Sequence, residues 1–243
     1  EDYNLAENGT VNDGIIATKL GLQGITDLAE KVIIERDLSL LEDFNCRYHI
    51  AQISSSKSVD VIKYKKNDVD FSTGVSINNL SLNENDIGDF RTFLKLSPPL
   101  RTEEDRLSLI DAINKNLIDV IVSDHKPEDE ESKRLTFTQA ATGASGIETL
   151  LPLSLELFHN GSVKLYRIIE LLTSNPAKIL KINKGNLSIG NDADFCIVDI
   201  NKPWIVKKEK MISKSKNTCI ENKKLQGKVL YTYIRGNELF SLK

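Results

Sequence analysis

The amino-acid sequence predicts an α/β fold in which β-α units build a parallel sheet and a small β module follows. Within residues 1–180, short apolar runs alternate with amphipathic stretches, which is the pattern of β-α units. The run Ile118–Val122 is apolar throughout, as is typical of a strand buried on both faces. Strands and turns replace this alternation in residues 181–243. The change in composition between Pro176 and Gly190 therefore predicts two domains, residues 1–180 and residues 181–243.

Three strands are predicted in the first domain. Each is a run of apolar or alternating residues that ends in turn residues or a helical pattern. Strands of β-α units pair in parallel, so we expect all three to be parallel. The predicted strands are Tyr48–Ser54, Val69–Ile77 and Ile118–Val122.

Cap residues place the helices between and after these strands. Ser54–Ser56 supply N-cap candidates for a helix that follows the first strand. Thr102 and Asp105 form a capping box that begins a helix running to about Asn116. The residues expected on the buried face of this helix are Leu107, Ile110 and Ile113. Further helices fit Gly146–Phe158, Val163–Leu172 and Asn175–Leu180.

The second domain is predicted to be a small β module. Gly236 and Asn237 form a hairpin-type turn before a last short strand. A module of about 60 residues buries little apolar surface and is marginally stable alone. The predicted strands are Asp194–Asp199, Trp204–Val206, Lys228–Arg235 and Glu238–Phe240.

Composition and charge limit the classes of function. The 243 residues include 32 Lys+Arg and 35 Asp+Glu, giving a formal net charge of −3, and 40% are hydrophobic. This balance excludes a disordered chain and gives no reason to expect nucleic-acid or membrane partners. No apolar run approaches the ~18 residues that a membrane span needs. We therefore expect a globular protein without nucleic-acid or membrane contacts.

The three cysteines, Cys46, Cys196 and Cys219, are widely separated. None forms a Cys-x-x-Cys pair, so the sequence indicates neither a disulfide framework nor a thiolate zinc site. A reducing cytoplasm is the expected location. The chain begins at Glu1 without a signal-peptide pattern, which is typical of a processed chain or of part of a longer one.

Several motifs resemble those of the dihydroorotase family of cyclic amidohydrolases. The run Gly143–Pro152 resembles the G-x-x-G-[LI]-E-T-x-L-P signature of bacterial dihydroorotases. The run Gly185–Asp194 resembles G-x-L-x-x-G-x-D-A-D, with which the family's small β domain starts. All matches follow the family order along essentially the whole chain. The supporting matches are Gly21–Ile25, Ser97–Arg101 with Glu104–Arg106, and Ser123–His125 with Lys133-Arg134.

The resemblance implies a (β/α)₈ amidohydrolase-type barrel with a small C-terminal β domain, of which this chain carries only the later β/α units. It also implies that two metal-binding elements lie outside this chain, the His-x-His pair of the first strand and the carboxylate or modified Lys of the fourth. The loops Leu82–Arg101 and Asp119–Arg134 look like those of non-catalytic family members that partner aspartate carbamoyltransferase.

Two positions that bind metal in the family carry amides here. The fifth family strand reads Y-H-V-x-H-[VI]-S, and Gln52 stands in place of its second His. The sixth ends T-P-H-H-L, and Asn78 stands in place of its first His. An amide is a poor zinc ligand because it lacks charge and softness. Asp124 matches the carboxylate that accepts a proton from metal-bound water, and we expect Gln52 and Asn78 to lie within its reach.

The positions that bind substrate in the family are changed as well. Ser97 replaces the Asn of N-P-P-L-R, and Glu128 replaces the last His of D-H-x-P-H. Thr142 and Gly143 replace a Pro-Gly pair that cradles the substrate ring. Asp124 is the one catalytic position retained. Without metal ligands around it, we expect Asp124 to hydrogen-bond near its strand end rather than to transfer a proton.

These departures predict a dihydroorotase-like protein of de novo pyrimidine biosynthesis that is non-catalytic, needs no cofactor, is oligomeric and supports aspartate carbamoyltransferase assembly. The alternative is an active zinc-dependent dihydroorotase, which closes carbamoyl aspartate to dihydroorotate with metal ligands from outside this chain. A third hypothesis is another cyclic amidohydrolase, such as a hydantoinase, which would lack the same two metal-binding histidines.

The segment Asn83–Leu96 is the candidate interface with such a partner. Apolar residues punctuate an otherwise charged loop there. These apolar residues either are exposed and contact a partner, or are buried and pack the loop against the barrel. These residues are Ile87, Phe90, Phe93 and Leu94.

Overall fold

The strands form three separate sheets in the computed structural model, which describes residues 1–44 and 46–242. Strands β1 and β2 form a two-stranded parallel pair. Strands β3, β4 and β5 form a parallel sheet in that order, and β6, β7 and β8 form an antiparallel sheet. The strands are β1 (Val11–Asn12), β2 (Gly24–Ile25), β3 (Tyr48–Ile53), β4 (Phe71–Ser76), β5 (Val120–Val122), β6 (Phe195–Ile205), β7 (Lys224–Ile234) and β8 (Asn237–Ser241).

Helices separate the parallel strands and follow them. Short 3₁₀ turns occur at Glu84–Ile87, Thr92–Leu94 and Lys208–Lys210. In the described part of the chain, no helix is long and apolar enough to cross a membrane. The α-helices are α1 (Tyr3–Ala6), α2 (Ile15–Leu20), α3 (Leu28–Asp43), α4 (Ser56–Lys65), α5 (Ile77–Ser81), α6 (Glu103–Asn114), α7 (Glu130–Lys133), α8 (Leu150–His159), α9 (Leu165–Leu172) and α10 (Ser174–Leu180).

The prediction of three parallel strands is confirmed by β3, β4 and β5. β4 is the central strand, and its Ser76 pairs with Val122 of β5. In the C-terminal sheet, two strands predicted separately are one strand, β6. Its pairing with β7 is interrupted between Asp199 and Pro203, where the Asp199 carboxylate accepts a hydrogen bond from the Asn201 N–H at 3.0 Å. This local turn accounts for the break in the sequence pattern.

The cap residues act as predicted. The Ser55 side chain accepts a hydrogen bond from the Ser58 N–H at the start of α4. Thr102 and Asp105 cap each other's backbone N–H groups at the start of α6. These side chains satisfy N–H groups that a helix leaves without partners at its first turn.

The predicted buried face of α6 is wrong at one residue. Leu107 is exposed, whereas Leu109, Ile110 and Ile113 are buried. At 3.6 residues per turn, Leu107 lies roughly 110° around the helix from the centre of these buried residues. The apolar core therefore meets α6 on a face that is rotated from the one the sequence indicated.

The apolar core lies between the parallel sheet and the helices that cover it. Helices α3, α4, α6, α8 and α9 each contribute a side chain that is almost fully buried in it. These residues are Leu38, Ile62, Ile113, Leu153 and Ile168. Burying such side chains is the main source of folding free energy.

A buried arginine joins the ends of the first three strands. Arg101 is only 2% exposed. Its Nη1 donates to Asn12 Oδ1 at 2.9 Å and to the Ile25 carbonyl at 2.5 Å. Its Nε donates to Ser54 Oγ at 3.1 Å, and its Nη2 contacts Glu1 Oε1 at 3.2 Å. One guanidinium therefore fixes β1, β2 and β3 relative to one another.

A buried carboxylate continues this network. Glu30 of α3 accepts hydrogen bonds from Ser54 Oγ at 2.5 Å, from the Ser54 N–H at 2.9 Å and from Ser58 Oγ at 2.5 Å. Ser54 is thus the link between Arg101 and Glu30. The Asp105 carboxylate adds α6 to the same region by accepting two bonds from Ser56, each at 2.8 Å.

Removing the Arg101 guanidinium should destabilise the protein far more than removing an exposed one. We expect Arg101→Met to lower the free energy of unfolding by about 3–5 kcal/mol, because it leaves buried acceptors and a carboxylate unpaired. Arg134→Met is the matched control, since Arg134 pairs with Glu130 and Glu131 at the surface. Its loss should be below about 1 kcal/mol. Urea denaturation measures both, and equal losses would contradict the role given to Arg101.

Candidate functional site

The candidate site lies where the three parallel strands end. Parallel strands present their carboxyl ends at one edge of the sheet, and functional side chains gather there in β/α folds. Gln52 is near the end of β3, Asn78 lies in the first turn of α5 just after β4, and Asp124 is two residues beyond β5. The pairings Ile53–Val75 and Ser76–Val122 place these three positions at a similar height.

The structure brings Gln52 and Asp124 into direct contact. Gln52 Nε2 donates to Asp124 Oδ1 at 3.1 Å, so the expected proximity of these two residues is confirmed. Asp124 also has φ +47°, in the left-handed region. A residue other than glycine adopts that region rarely, and strain of this kind concentrates at functional sites. The Gln52–Asp124 pair is the clearest chemical feature of this edge.

Asn78 is more deeply buried than Gln52 and Asp124. Its residue is 3% exposed, and its amide nitrogen is buried without a hydrogen-bond partner among the described residues. Its backbone N–H donates to Ser76 Oγ at 3.2 Å. The neighbouring Asn79 donates from Nδ2 to the Pro99 carbonyl at 3.0 Å. An unpaired buried donor is unfavourable, so the Asn78 amide nitrogen lowers the stability of the folded protein.

The residues at this edge do not fit zinc. Gln52 turns an N–H group toward the carboxylate, and the Asn78 amide nitrogen is a donor without an acceptor. Zinc is held by thiolate, imidazole and carboxylate groups. Over residues 1–44 and 46–242, no cluster of three such side chains is placed to hold a metal. Asp124 alone is a suitable ligand, so no step through a metal is derived from these residues.

His125 has a structural role beside Asp124. Its Nδ1 accepts hydrogen bonds from the Gly146 N–H at 3.2 Å and the Ile147 N–H at 3.4 Å, and its backbone pairs with Ala144. A Cβ at Gly146 would lie 2.2 Å from the Ser123 carbonyl oxygen, so only glycine fits. His125 therefore docks the Gly143–Pro152 run against the end of β5.

The four positions matched to substrate contacts are only partly brought together. Asn217 joins Glu128 and Gly143, because its Oδ1 accepts from the Glu128 N–H at 3.4 Å and its Nδ2 donates to the Gly143 carbonyl at 3.1 Å. Thr142 precedes Gly143 and is half-buried. Ser97 is exposed and lies two residues beyond Lys95, whose carbonyl accepts from the Gly143 N–H at 2.9 Å.

Two buried lysines hold the loop Thr138–Gly143, and their contacts with it were not predicted. Lys95 Nζ donates to the carbonyls of Thr138 and Ala140 at 2.7 and 2.8 Å. Lys133 Nζ donates to the carbonyls of Ala141 and Gly143 at 2.6 and 2.9 Å. Burial lowers the pKa of both amines, that of Lys133 to about 8. Lysines pair with acids far more often than they cap loops, so sequence spacing carries no signal for this arrangement.

Two of the four candidate interface residues in the loop Asn83–Leu96 are buried and hold the loop in place. Ile87 and Leu94 are 1% and 2% exposed, whereas Phe90 is 47% exposed. Phe90 also has φ +59°. Phe93 is half-buried, and its carbonyl accepts from the Cys219 thiol at 3.1 Å. Ile87 and Leu94 therefore fix the loop, and Phe90 is the exposed residue among these four.

Comparison with known proteins identifies the family. A profile described as "Amidohydrolase family" matches residues 7–239. The L-hydantoinase of Arthrobacter aurescens superposes with a TM-score of 0.84 at 27% identity, covering 93% of this chain and 51% of that one. The dihydropyrimidinase of Brevibacillus agri NCHU1002 gives 0.83 at 21% identity, over 88% and 49% of the two chains. The chain therefore belongs to the amidohydrolase family, and the predicted fold class is confirmed.

Within this family the chain is similar to dihydroorotases. It is 41% identical to the "Dihydroorotase" of Ehrlichia canis (strain Jake) over 243 residues, which are 99% of this chain and 54% of that protein. The "Dihydroorotase" of Wolbachia sp. subsp. Drosophila simulans (strain wRi) is 39% identical over 100% of this chain and 56% of its own length. The chain thus spans about half the length of the curated relatives it matches. The non-catalytic subtype and the transcarbamoylase partner stay predictions.

The lowered pKa of Lys133 should make stability depend on pH. Its folded-state pKa of about 8 lies below the ordinary lysine value of about 10.4. Between these values the unfolded state binds more protons, so the free energy of unfolding rises with pH. This contribution is complete above about pH 10.4 and is lost as the pH falls through about 8.

Lys133→Met should remove that rise, as measured by urea denaturation at a series of pH values across this window. The exposed Lys210→Met is the matched control and should keep the pH dependence of the wild type. A Lys133→Met profile that is parallel to the wild-type profile would contradict the assignment.

Proposed function

We propose that this protein is a dihydroorotase-like member of de novo pyrimidine biosynthesis that is non-catalytic and supports the assembly of aspartate carbamoyltransferase. The similarity to dihydroorotases over the whole chain supports the biosynthetic role. The Gln52–Asp124 hydrogen bond supports the loss of catalysis, because an amide occupies the place of an imidazole ligand beside the proton-accepting carboxylate. This hydrogen bond carries the proposal.

The proposed loss of catalysis has a physical reason, which is the way in which water is activated in a metal-dependent hydrolase. Water becomes a strong nucleophile at neutral pH when a metal lowers its pKa. At this edge the Asp124 carboxylate accepts a hydrogen bond from the Gln52 amide, and the Asn78 amide nitrogen is a further donor. Two donors favour a carboxylate or carbonyl partner over a cation. Without an activated water, Asp124 has no proton to accept.

The alternative function is an active zinc-dependent dihydroorotase. Two observations favour it, namely the identity of about 40% to proteins named dihydroorotase and the retention of Asp124. It would require metal ligands from outside this chain and replacements for the two histidines absent at Gln52 and Asn78. The changes at Ser97, Glu128 and Thr142 weigh against it, because catalysis also needs a positioned substrate.

The intact native protein is expected neither to bind zinc stoichiometrically nor to convert carbamoyl aspartate to dihydroorotate. Metal analysis of the purified protein and an assay at several zinc concentrations measure this. Gln52→His combined with Asn78→His should still give no turnover, because the substrate positions remain changed. A catalytically active dihydroorotase serves as the assay control. Turnover by the wild-type protein alone would refute the non-catalytic proposal.

The partner surface is proposed to centre on Phe90. A stable interface of about 800 Å² per partner needs an apolar anchor within a polar rim. Phe90 is exposed within a charged loop whose backbone is held by Ile87 and Leu94. A fixed loop loses little conformational entropy on binding, which favours association. The same proposal includes that this protein is oligomeric.

Phe90→Ala and Phe93→Ala should weaken co-elution with aspartate carbamoyltransferase. Phe90→Ala should have the larger effect on binding, on the order of tenfold, because truncating an anchor costs more than about 1 kcal/mol. Tyr166→Ala is the control, since Tyr166 is an exposed aromatic residue outside this loop. Unchanged association of both variants would remove the loop from the interface. No association of the wild-type pair would remove the partner proposal itself.

A further inference from the structure

The tip of the loop Asn83–Leu96, residues 88–91, carries two charges that the proposed function does not use. All four residues of this loop tip are exposed. Asp89 and Arg91 stand on either side of Phe90 in the sequence. The loop tip therefore presents one aromatic ring between a negative and a positive side chain.

Phe90 is held in a backbone conformation that favours glycine. Its φ of +59° lies in the left-handed region, which a side chain with a Cβ adopts only at a cost in free energy. The Phe90 N–H donates to the Gly88 carbonyl at 3.0 Å, and the Arg91 N–H donates to the Ile87 carbonyl at 3.1 Å. These bonds hold the strained residue in place. Strain at an exposed residue indicates a role outside folding.

The Arg91 side chain is positioned by hydrogen bonds but lacks an acidic partner. Its Nη2 donates to the Cys219 carbonyl at 3.3 Å, and its Nη1 donates to the Asp86 carbonyl at 3.5 Å. Among the described residues, no carboxylate lies within ion-pair distance of Arg91. A guanidinium has five N–H groups, so Arg91 can keep both bonds and still bind a carboxylate.

The Asp89 carboxylate is the other charge of this loop without a partner. It makes neither a hydrogen bond nor an ion pair with any side chain that the structure describes. The remaining charged side chains of the loop are engaged. Asp86 caps the 3₁₀ turn Glu84–Ile87, and the Glu84 carboxylate is buried and hydrogen-bonded. The buried Lys95 binds two carbonyls.

We propose that the loop tip inserts Phe90 into an apolar pocket of aspartate carbamoyltransferase that has a carboxylate on one side, for Arg91, and a cationic side chain on the other, for Asp89. This assignment rests on the proposed function and adds the chemistry of the partner surface. In a pocket with the two charges exchanged, like charges would meet, which opposes association. The loop tip therefore sets the orientation of the partner as well as the place of contact.

The affinity of the intact native protein for aspartate carbamoyltransferase, measured by surface plasmon resonance, tests the two charges. Asp89→Asn and Arg91→Gln should each weaken binding about two- to fivefold, because each leaves a charge of the partner unpaired. Asp89 has no side-chain bond to lose within the described protein, so urea denaturation of Asp89→Asn should match that of the wild type. The controls are Asp60→Asn and Lys63→Gln, which remove exposed charges on α4.

The backbone strain at Phe90 is tested without the partner. Phe90→Gly and Phe90→Ala remove the same ring, but only glycine adopts the left-handed region without strain. Phe90→Gly should therefore be more stable than Phe90→Ala, by about two- to fivefold in the ratio of folded to unfolded protein. Both variants should bind the transcarbamoylase more weakly than the wild type does. Urea denaturation and surface plasmon resonance measure the two effects.

The outcomes separate this assignment from the proposed function. Wild-type binding together with unchanged affinity of Asp89→Asn and Arg91→Gln would overturn the assignment and leave the proposed function standing. Absence of wild-type binding would overturn both. A Phe90→Ala variant at least as stable as Phe90→Gly would remove the strain at the loop tip and overturn the assignment whether or not the partner binds.

Discussion

The buried guanidinium of Arg101 is the constraint on which the arrangement of the strand ends depends. A guanidinium that water cannot reach must find acceptors for its N–H groups within the protein, and each acceptor is then fixed in place. Arg101 takes them from β1, β2 and the end of β3, and Ser54 passes the connection to Glu30. The position of Gln52, two residues before Ser54, therefore follows from a polar network outside the candidate site.

Local signals in the sequence predicted the elements that local physics determines. The capping box of Thr102 and Asp105 and the strand at Ile118–Val122 needed only neighbouring residues, and both were predicted. The two-residue strands β1 and β2 were not predicted, since their pairing joins segments that have no apolar pattern of their own. The buried face of α6 was misplaced at Leu107 because tertiary packing, and not periodicity, orients the helix.

The same division applies to the candidate site. The contact between Gln52 and Asp124 was predictable, because the ends of parallel strands meet at one edge. The lysine-held loop was not predictable, because Lys95 and Lys133 lie 45 and 10 residues from carbonyls that they bind. A charged side chain reveals its partner only when the fold is known. Chemistry that depends on strand order is readable from sequence, whereas chemistry that depends on loop paths is not.

In the loop that ends at Gly143, the residue that fixes the backbone path differs from the residues whose side chains are free to vary. Gly143 has φ +136°, and a Cβ there would lie 2.6 Å from the Lys126 carbonyl oxygen, so the backbone path tolerates no side chain. Thr142 is half-buried and Ser97 is exposed, so their side chains are less confined than a side chain at Gly143 would be. Substitutions at these two positions should therefore disturb the loop less than a substitution at Gly143. For protein engineers, these two positions are places where side chains can be varied while Gly143 keeps the path of the loop.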